Sequence, residues 1–235
     1  MLNYSGDNML ERLELIVKTD KIEKFINSNI LLVGVGGVGG SCFEALVRLG
    51  LKNITIIDKD DFDITNLNRQ ILSNRFNIGH KKVLEAKIRA ESINPDILVK
   101  YYDLFLNESN IATIDFTAYD FIIDCCDTMT TKLLLIKKAL EYKIKIISSM
   151  GTGNRLDPTK LELTDIWKTN YDPVAKSMRK LLRNENIKAK VPVLASKEQP
   201  IKIPSRKPGS TSLVPNVAGF YIASYVFNDI ISNGK

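Results

Sequence analysis

A glycine loop set between two short apolar runs constrains this chain more than any other feature. Ile30-Leu31-Leu32-Val33 leads into Gly34-Val35-Gly36-Gly37-Val38-Gly39, then into the small-residue stretch Ser41-Cys42-Phe43-Glu44-Ala45-Leu46-Val47. A second apolar run, Asn53-Ile54-Thr55-Ile56-Ile57, ends on Asp58. Strand, glycines, helix, strand and acid in this order predict a nucleotide-binding βαβ unit. The first glycine permits a tight turn. The second lets backbone N–H groups reach a phosphate, and the third lets helix pack on strand. The helix N-terminus adds a dipole that favours negative charge. Asp58 follows Gly39 by nineteen residues, near the ~20 at which an acid meets ribose hydroxyls. Tight helix–sheet packing alone would also ask for glycines, but not for the acid in register.

The 235 residues suffice for one large domain with a substantial core. No apolar run reaches the ~18 residues of a bilayer span. Met1 to Asp7 has no basic segment leading into an apolar core, so no secretory leader is expected. Cys42, Cys125 and Cys126 form no Cys-x-x-Cys pair, which points to a reducing cytoplasm and away from a zinc knuckle. The net charge of +6 is unevenly spread: residues 155–207 hold thirteen Lys/Arg against six Asp/Glu, or +7, leaving −1 elsewhere. Such a patch suits a polyanion, nucleic acid first, or else a solvated face.

The rest of the chain alternates strands and helices. Residues 9–28 carry a helical period, with Leu10, Leu13, Ile16 and Val17 on one face and Ile22, Phe25 and Ile26 on the next. After Asp58, the segment Lys59–Gln70 is dense in acids and amides, with Asp60, Asn66, Asn68 and Arg69 where a sheet opens onto its ligand crevice. Arginine there can brace two phosphate oxygens; a capped loop is the plainer alternative. Lys82 heads a helix that stops at Pro95, a dipole-unfavourable place for a cation. His80, the single histidine, reads as a surface residue. Strands are expected over 99–105, 121–124, 144–149, 161–167 and 191–196. Asp127, just past the fourth strand, can hold a metal ion or cap the helix over 131–142. Met150-Gly151-Thr152-Gly153-Asn154 offers a second close backbone approach. Asp172-Pro173 opens a helix to Asn184 with Ala175, Met178 and Leu182 inward; Lys176, Arg179, Lys180 and Arg183 form its basic stripe. Residues 197–212 make a Pro-, Lys- and Ser-rich loop of the kind that is mobile or lies over a substrate. The helix over 216–231 is apolar on most sides, to be buried in this chain or a dimer. The expected class is α/β: a Rossmann-like, mixed but mostly parallel sheet with helices on both faces and a C-terminal antiparallel extension.

The ordered set Gly34-x-Gly-Gly-Val-Gly39, Asp58-x-Asp60, Asn66-Leu67-Asn68-Arg69-Gln70, Gly79-x-x-Lys82-Val83, Ile93-Asn94-Pro95 and Asp124-x-x-Asp127 resembles the ubiquitin-activating-enzyme superfamily. Ser148–Thr159, Asp165-Ile166-x-Lys168-Thr169, Asp172-Pro173 and Pro208-Gly209-Ser210 with Val214-Pro215-x-Val217-Ala218-Gly219 look more narrowly like its tRNA threonylcarbamoyladenosine dehydratase branch. The resemblance implies a single adenylation domain over 1–235, with an ATP-binding core over 12–150 and a substrate-side extension over 151–235. It implies ATP and Mg²⁺, a tRNA substrate, a homodimer and a sulfur-relay protein as a further partner. ATP would activate the modification's carboxylate as an acyl-adenylate, and the modification's own atoms would then close a ring and expel AMP.

Carried onto this sequence, the family's roles put phosphate on Gly36, Gly37 and Gly39 and ribose on Asp58, with Asp60, Asn68 and Thr128 nearby. Asn66 and Arg69 would position the triphosphate. Arg69 and Lys82 would offset charge at the α-phosphate, and Asp127 would bind Mg²⁺. Arg12 is the candidate arginine finger, reaching a partner's site. Lys176, Arg179, Lys180 and Arg183 would meet tRNA. The paired zinc cysteines of many sulfur-carrier activators are absent, as is a cysteine near Val193. Both absences disfavour the alternative, adenylation of a sulfur-carrier protein's C-terminal glycine. A nicotinamide-dependent dehydrogenase would leave Arg69, Lys82 and Asp127 idle, and a silent tRNA-binding relative would not need them.

Overall fold

The computed structural model describes residues 8–205 and 207–232. Seven strands form one sheet: β1 (Asn29–Val33), β2 (Asn53–Ile57), β3 (Leu98–Tyr102), β4 (Phe121–Asp124), β5 (Lys145–Ser149), β6 (Leu161–Asp165) and β7 (Pro192–Ser196). Their order is β3-β2-β1-β4-β5-β7-β6, and only β6 runs antiparallel to its neighbour. The chain winds from β1 outward to β3, then returns to place β4 on the other side of β1. That reversal opens a crevice beyond the carboxyl ends of β1 and β4. The mostly parallel sheet with its antiparallel edge agrees with the expectation.

β1, β4 and the inner part of β5 are buried on both faces, so their residues read as continuous apolar runs. One face carries α2 (Thr19–Ile26), α3 (Gly37–Arg48), α4 (Lys82–Ile93) and α7 (Leu213–Ser232); the other carries α5 (Met129–Tyr142) and α6 (Pro173–Asn184). α3 starts at the glycine loop itself, earlier than its apolar residues suggest. α6 opens as expected: the Asp172 carboxylate accepts from the Val174 and Ala175 amides at 2.9 and 3.1 Å, and Ala175, Met178 and Leu182 are buried.

The N-terminal arm departs from one continuous helix. It forms α1 (Glu11–Glu14) and α2, separated by an extended Lys18 (φ −62°, ψ 143°). Leu10 packs over Gly50, and the Phe25 ring meets Phe227 edge-on at 4.9 Å. The break lets the two short helices serve these separate anchors, and it leaves Ile16 82% exposed. β3 and β6 are shorter than expected. The chain after Tyr102 turns over the crevice, and Asp165 caps a 3₁₀ turn at Ile166–Lys168 through the Trp167 amide.

α7 lies directly on α3, and its contact is backbone-close. A Cβ at Gly219 would stand 2.3 Å from the Val38 carbonyl oxygen and 2.7 Å from the Cys42 amide. The Ser41 hydroxyl donates to Asn216 Oδ1 at 2.5 Å across the same contact. The outer side of α7 is less buried than its composition implies, with Phe220 and Tyr221 exposed. Gly219→Ala therefore forces the two helices apart. An overpacking penalty of about 1–3 kcal/mol is expected, lowering Tm by roughly 2–12 °C in a domain of this size by calorimetry.

Candidate active site

The crevice holds a cavity of about 850 Å³. Its nucleotide side begins at Gly34, which takes φ +90° to turn the chain away from the sheet. Gly36 caps α3, and the space where its side chain would stand is open apart from Gln70 Nε2 at 3.9 Å. Backbone N–H groups and the helix dipole therefore point into the cavity. Asp58 stands at the end of β2. Its Oδ2 accepts from the Val35 amide at 2.7 Å and its Oδ1 from the Asp60 amide at 2.9 Å. Burial pushes the Asp58 carboxyl above its ordinary range, against the pull of Lys82 and these two amides.

Asn66 is buried and accepts from the Asp63 amide, closing a capping box around the 3₁₀ turn Ile64–Asn66. That turn sets Arg69, whose Nη1 donates to the Thr65 carbonyl at 2.7 Å and to Asn68 Oδ1 at 3.1 Å. The other guanidinium N–H groups have no hydrogen-bond partner among the described residues. Lys82 opens α4 with its side chain only 6% exposed and its ammonium 3.2 Å from Asp60 Oδ2. Asp127, exposed beyond β4, accepts from the Thr128 hydroxyl at 3.3 Å and, among the described residues, from no other donor. It does not cap α5: Thr128 holds that position without a side-chain cap bond.

The structure thus gathers Gly36, Gly37, Asp58, Asp60, Asn66, Arg69, Lys82, Asp127 and Thr128 around one cavity. Three other expected residues stand outside it. Gly39 is a packing residue: a Cβ there would lie 1.8 Å from the Gly34 carbonyl oxygen. Asn68 stands behind Arg69 and donates to the Ser210 carbonyl at 3.0 Å. Arg12 is exposed on α1 and does not reach this chain's own cavity. His80 is a surface residue paired with Glu85 at 2.8 Å.

The second side of the cavity comes from Gly151–Arg155 and the loop after β7. Asn154, with φ +58°, clasps that loop. Its amide donates to the Gly209 carbonyl at 2.8 Å, its Oδ1 accepts from the Gly209 amide at 2.6 Å, and its carbonyl accepts from the Ile201 amide at 2.7 Å. The side chain of Arg155, 1% exposed, donates to the Gly151, Tyr171 and Glu198 carbonyls and lies 3.5 Å from Asp172. Of the expected loop, Pro200, Ile201, Lys202, Ile203, Ser205, Pro208 and Ser210 line the cavity.

Several features escaped the sequence reading. Leu104–Leu106 forms an apolar wall beside Asp58, with the Lys59 ammonium 5.1 Å from the Phe105 ring centroid. Gln70 lines the cavity and its buried Oε1 has no partner among the described residues; its place beside Arg69 was the available signal. Arg179 leaves the basic stripe: its Nη1 donates to the Ile166 and Thr169 carbonyls at 3.3 and 3.1 Å and to the Thr169 hydroxyl. Lys176, Lys180 and Arg183 stay exposed, Arg183 over the Trp167 ring at 5.5 Å.

A model of the ThiF family matches residues 8–198. The chain is 37% identical over 243 residues to the tRNA threonylcarbamoyladenosine dehydratase of Bacillus subtilis, covering 96% of each chain. This chain belongs to the ThiF family. The crystal structure of Escherichia coli TcdA, a tRNA N6-threonylcarbamoyladenosine dehydratase, in complex with ATP matches with a TM-score of 0.91 at 30% identity, over 99% of this chain and 97% of that one. The same enzyme in complex with AMP matches at TM-score 0.88 and 32% identity, over 93% and 92% of the two chains. The fold of this ThiF-family chain is therefore one that holds an adenine nucleotide in a relative.

The raised Asp58 carboxyl gives a pH signature. Asp58 is the expected ribose acceptor, and a carboxylate accepts from hydroxyls best when ionised, so adenosine affinity should fall as pH drops through the raised Asp58 pKa, above the ordinary carboxylate range. Adenosine carries no phosphate to confuse the titration. Asp58→Asn should weaken binding by roughly 10–100-fold, the worth of a hydrogen bond to a charged group, and flatten that acid limb; calorimetry across pH reads both.

Proposed function

We infer that this chain is an ATP-dependent tRNA threonylcarbamoyladenosine dehydratase. One observation carries the reading: a single cavity joins a nucleotide cradle to the Gly151–Arg155 turn and the loop over it, so an α-phosphate and a second substrate's carboxylate can meet without leaving the protein.

The residues divide the work by position. The Gly36–Gly37 amides and the α3 N-terminus receive phosphate, Asp58 takes the ribose, and Leu104–Leu106 supplies the apolar wall for the base. The carboxylate of the threonyl group attacks the α-phosphorus, and the bond to the β-phosphate oxygen breaks to release pyrophosphate. Arg69 and Lys82 offset the negative charge that builds on the phosphates during that displacement. An atom of the same modification then attacks the activated carbonyl, closing a ring and expelling AMP. The attacking atom gives up its proton to solvent and the carboxylate oxygen leaves on AMP, so the net change in the nucleoside is loss of water. Asp127 suits Mg²⁺, which takes one or two protein carboxylates and completes its shell with phosphate oxygens and water; it would supply neutralising charge for the triphosphate.

Lys176 and Lys180 lie one to two turns along α6 from Pro173 at the cavity rim, which supports a path for tRNA phosphates. Arg12 is exposed beside Leu15 and Ile16, themselves 81% and 82% exposed. A second copy covering this arm would bury both and bring Arg12 toward a neighbour's cavity, so the proposed unit is a homodimer of single-domain chains: an ATP-binding core over 12–150 and a substrate-side extension over 151–235. A cytoplasmic location and a sulfur-relay partner complete the reading. No described helix is long and apolar enough to cross a membrane.

The deciding assay incubates tRNA bearing threonylcarbamoyladenosine with the protein and Mg-ATP, then digests it for mass spectrometry. Loss of one water from the nucleoside with matching pyrophosphate is expected, and Arg69→Ala or Asp127→Ala should cut the rate by at least about 100-fold with Tm unchanged. No mass change, with pyrophosphate exchange only on adding a carrier protein ending in Gly-Gly, would transfer the reading to sulfur-carrier adenylation. Separately, Lys176→Glu with Lys180→Glu should weaken tRNA binding and lower the slope of log affinity against log salt by about 1 per lost phosphate contact. An unchanged slope would make the stripe a solvated face.

A further inference from the structure

Above Asp124 and Ser148 the sheet splits. Those residues are the last pair of the β4–β5 ladder. Beyond them, the Cys125 amide donates sideways to the Val33 carbonyl of β1, and the Met150 amide donates to the Leu194 carbonyl of β7. The two strand ends lean apart, and the cavity opens between them. One side chain spans the split from below. Lys132, in the first turns of α5, is 2% exposed. Its Nζ donates to Asp124 Oδ2 and Oδ1 at 3.1 and 3.3 Å and to the Ser149 carbonyl at 2.6 Å.

The surrounding bonds leave this bridge no slack. The Asp124 carboxylate also accepts from the Cys126 amide at 3.2 Å, the Cys126 thiol at 3.0 Å and the Ser148 hydroxyl. Burial pulls the Lys132 ammonium down, but the groups facing it, the Asp124 carboxylate first, together hold it above the ordinary lysine range. A buried ion pair is often matched in stability by apolar residues of similar volume, so stability alone does not account for it. Geometry does: Asp127 lies three residues past Asp124, and Gly151 two past Ser149. Both positions line the cavity, on opposite banks of the split.

We propose that Lys132 is a positioning residue for adenylation, a bolt across the split that sets the spacing between Asp127 and the Met150–Gly151 turn, where α-phosphate and carboxylate must meet. The dehydratase reading supplies only the identity of that carboxylate. Misplacement by about 1 Å can cost a factor near 100 in rate, while a nucleotide held mainly by the Gly36 loop and Asp58 would still bind.

The test uses the full chain with Mg-ATP and threonylcarbamoyladenosine-bearing tRNA. Lys132→Met strands the Asp124 carboxylate, so the double variant Asp124→Asn with Lys132→Met is measured beside it. The double variant should regain most of the lost Tm, keep KM for ATP within about threefold, and still show a kcat about 100-fold low. Hydrogen exchange should show amide protection lost in peptides covering 124–128 and 148–152 and kept over α3 and α7. A double variant that folds with wild-type kcat, or protection lost evenly along the chain, would overturn the bolt. Wild-type protein releasing no pyrophosphate with this tRNA would instead overturn the dehydratase reading, and the exchange pattern would still decide the bolt.

Discussion

No side chain fits where the turn after β1 meets the turn after β4. A Cβ on Gly34 would stand 2.7 Å from the Cys125 carbonyl carbon and from the Cys126 amide. One on Gly39 would overlap the Gly34 carbonyl oxygen. This backbone contact fixes the separation of the two strand ends at the point where the winding of the sheet reverses. It also fixes where α3 begins, because the helix starts three residues after Gly34. Asp127 is carried to the far side of the cradle by the same contact, three residues beyond the last residue of β4. Phosphate cradle and acid are thus positioned by one constraint.

The substrate side is built by a different means. Gly151–Arg155 and the loop after β7 have little apolar burial of their own, and hydrogen bonds hold them. Asn154 makes three such bonds to that loop, and Asn68 makes one from the nucleotide side. Arg155 gathers the Gly151, Tyr171 and Glu198 carbonyls from three segments. A wall held this way opens at lower free energy than a packed core, which suits the proposed entry of a nucleoside attached to a large RNA.

Legibility in the sequence followed the range of the interactions. The β1–α3–β2 unit could be read because its apolar runs, glycines and acid act over thirty residues, with strand and helix periods intact. The Asp172 cap was as legible, since it acts on its next turn. Arg179 was not: helical spacing puts it in register with Lys176, Lys180 and Arg183, but it reaches back to the Ile166 and Thr169 carbonyls, which tertiary folding alone brings near. Lys132 escaped for the same reason, its partners Asp124 and Ser149 lying on two strands. Gly39 keeps the packing role its place as third glycine predicted, whereas Asn68 was assigned to the right loop but turns to the Ser210 carbonyl, because motif spacing fixes a residue's neighbourhood and not the direction of its side chain. The broken N-terminal arm shows the limit of periodicity: the pattern fits a helix throughout, yet anchors at Gly50 and Phe227 favour two short ones.

In the proposed reaction, the chemistry after adenylation is constrained by the thiols. Covalent acyl transfer to the enzyme needs a cysteine with thiolate character. Cys42 is fully buried, and burial raises the thiols of Cys42, Cys125 and Cys126 alike. Cys125 and Cys126 touch the cavity, but Cys126 donates its S–H to Asp124, and the nearby carboxylate further disfavours ionisation. None is poised to attack an acyl-adenylate. A substrate that carries its own nucleophile needs no such residue: the protein has only to hold the activated carbonyl beside that atom and keep water away. The apolar Leu104–Leu106 wall, the clasped loop and the neutral thiols fit that second step better than a thioester relay.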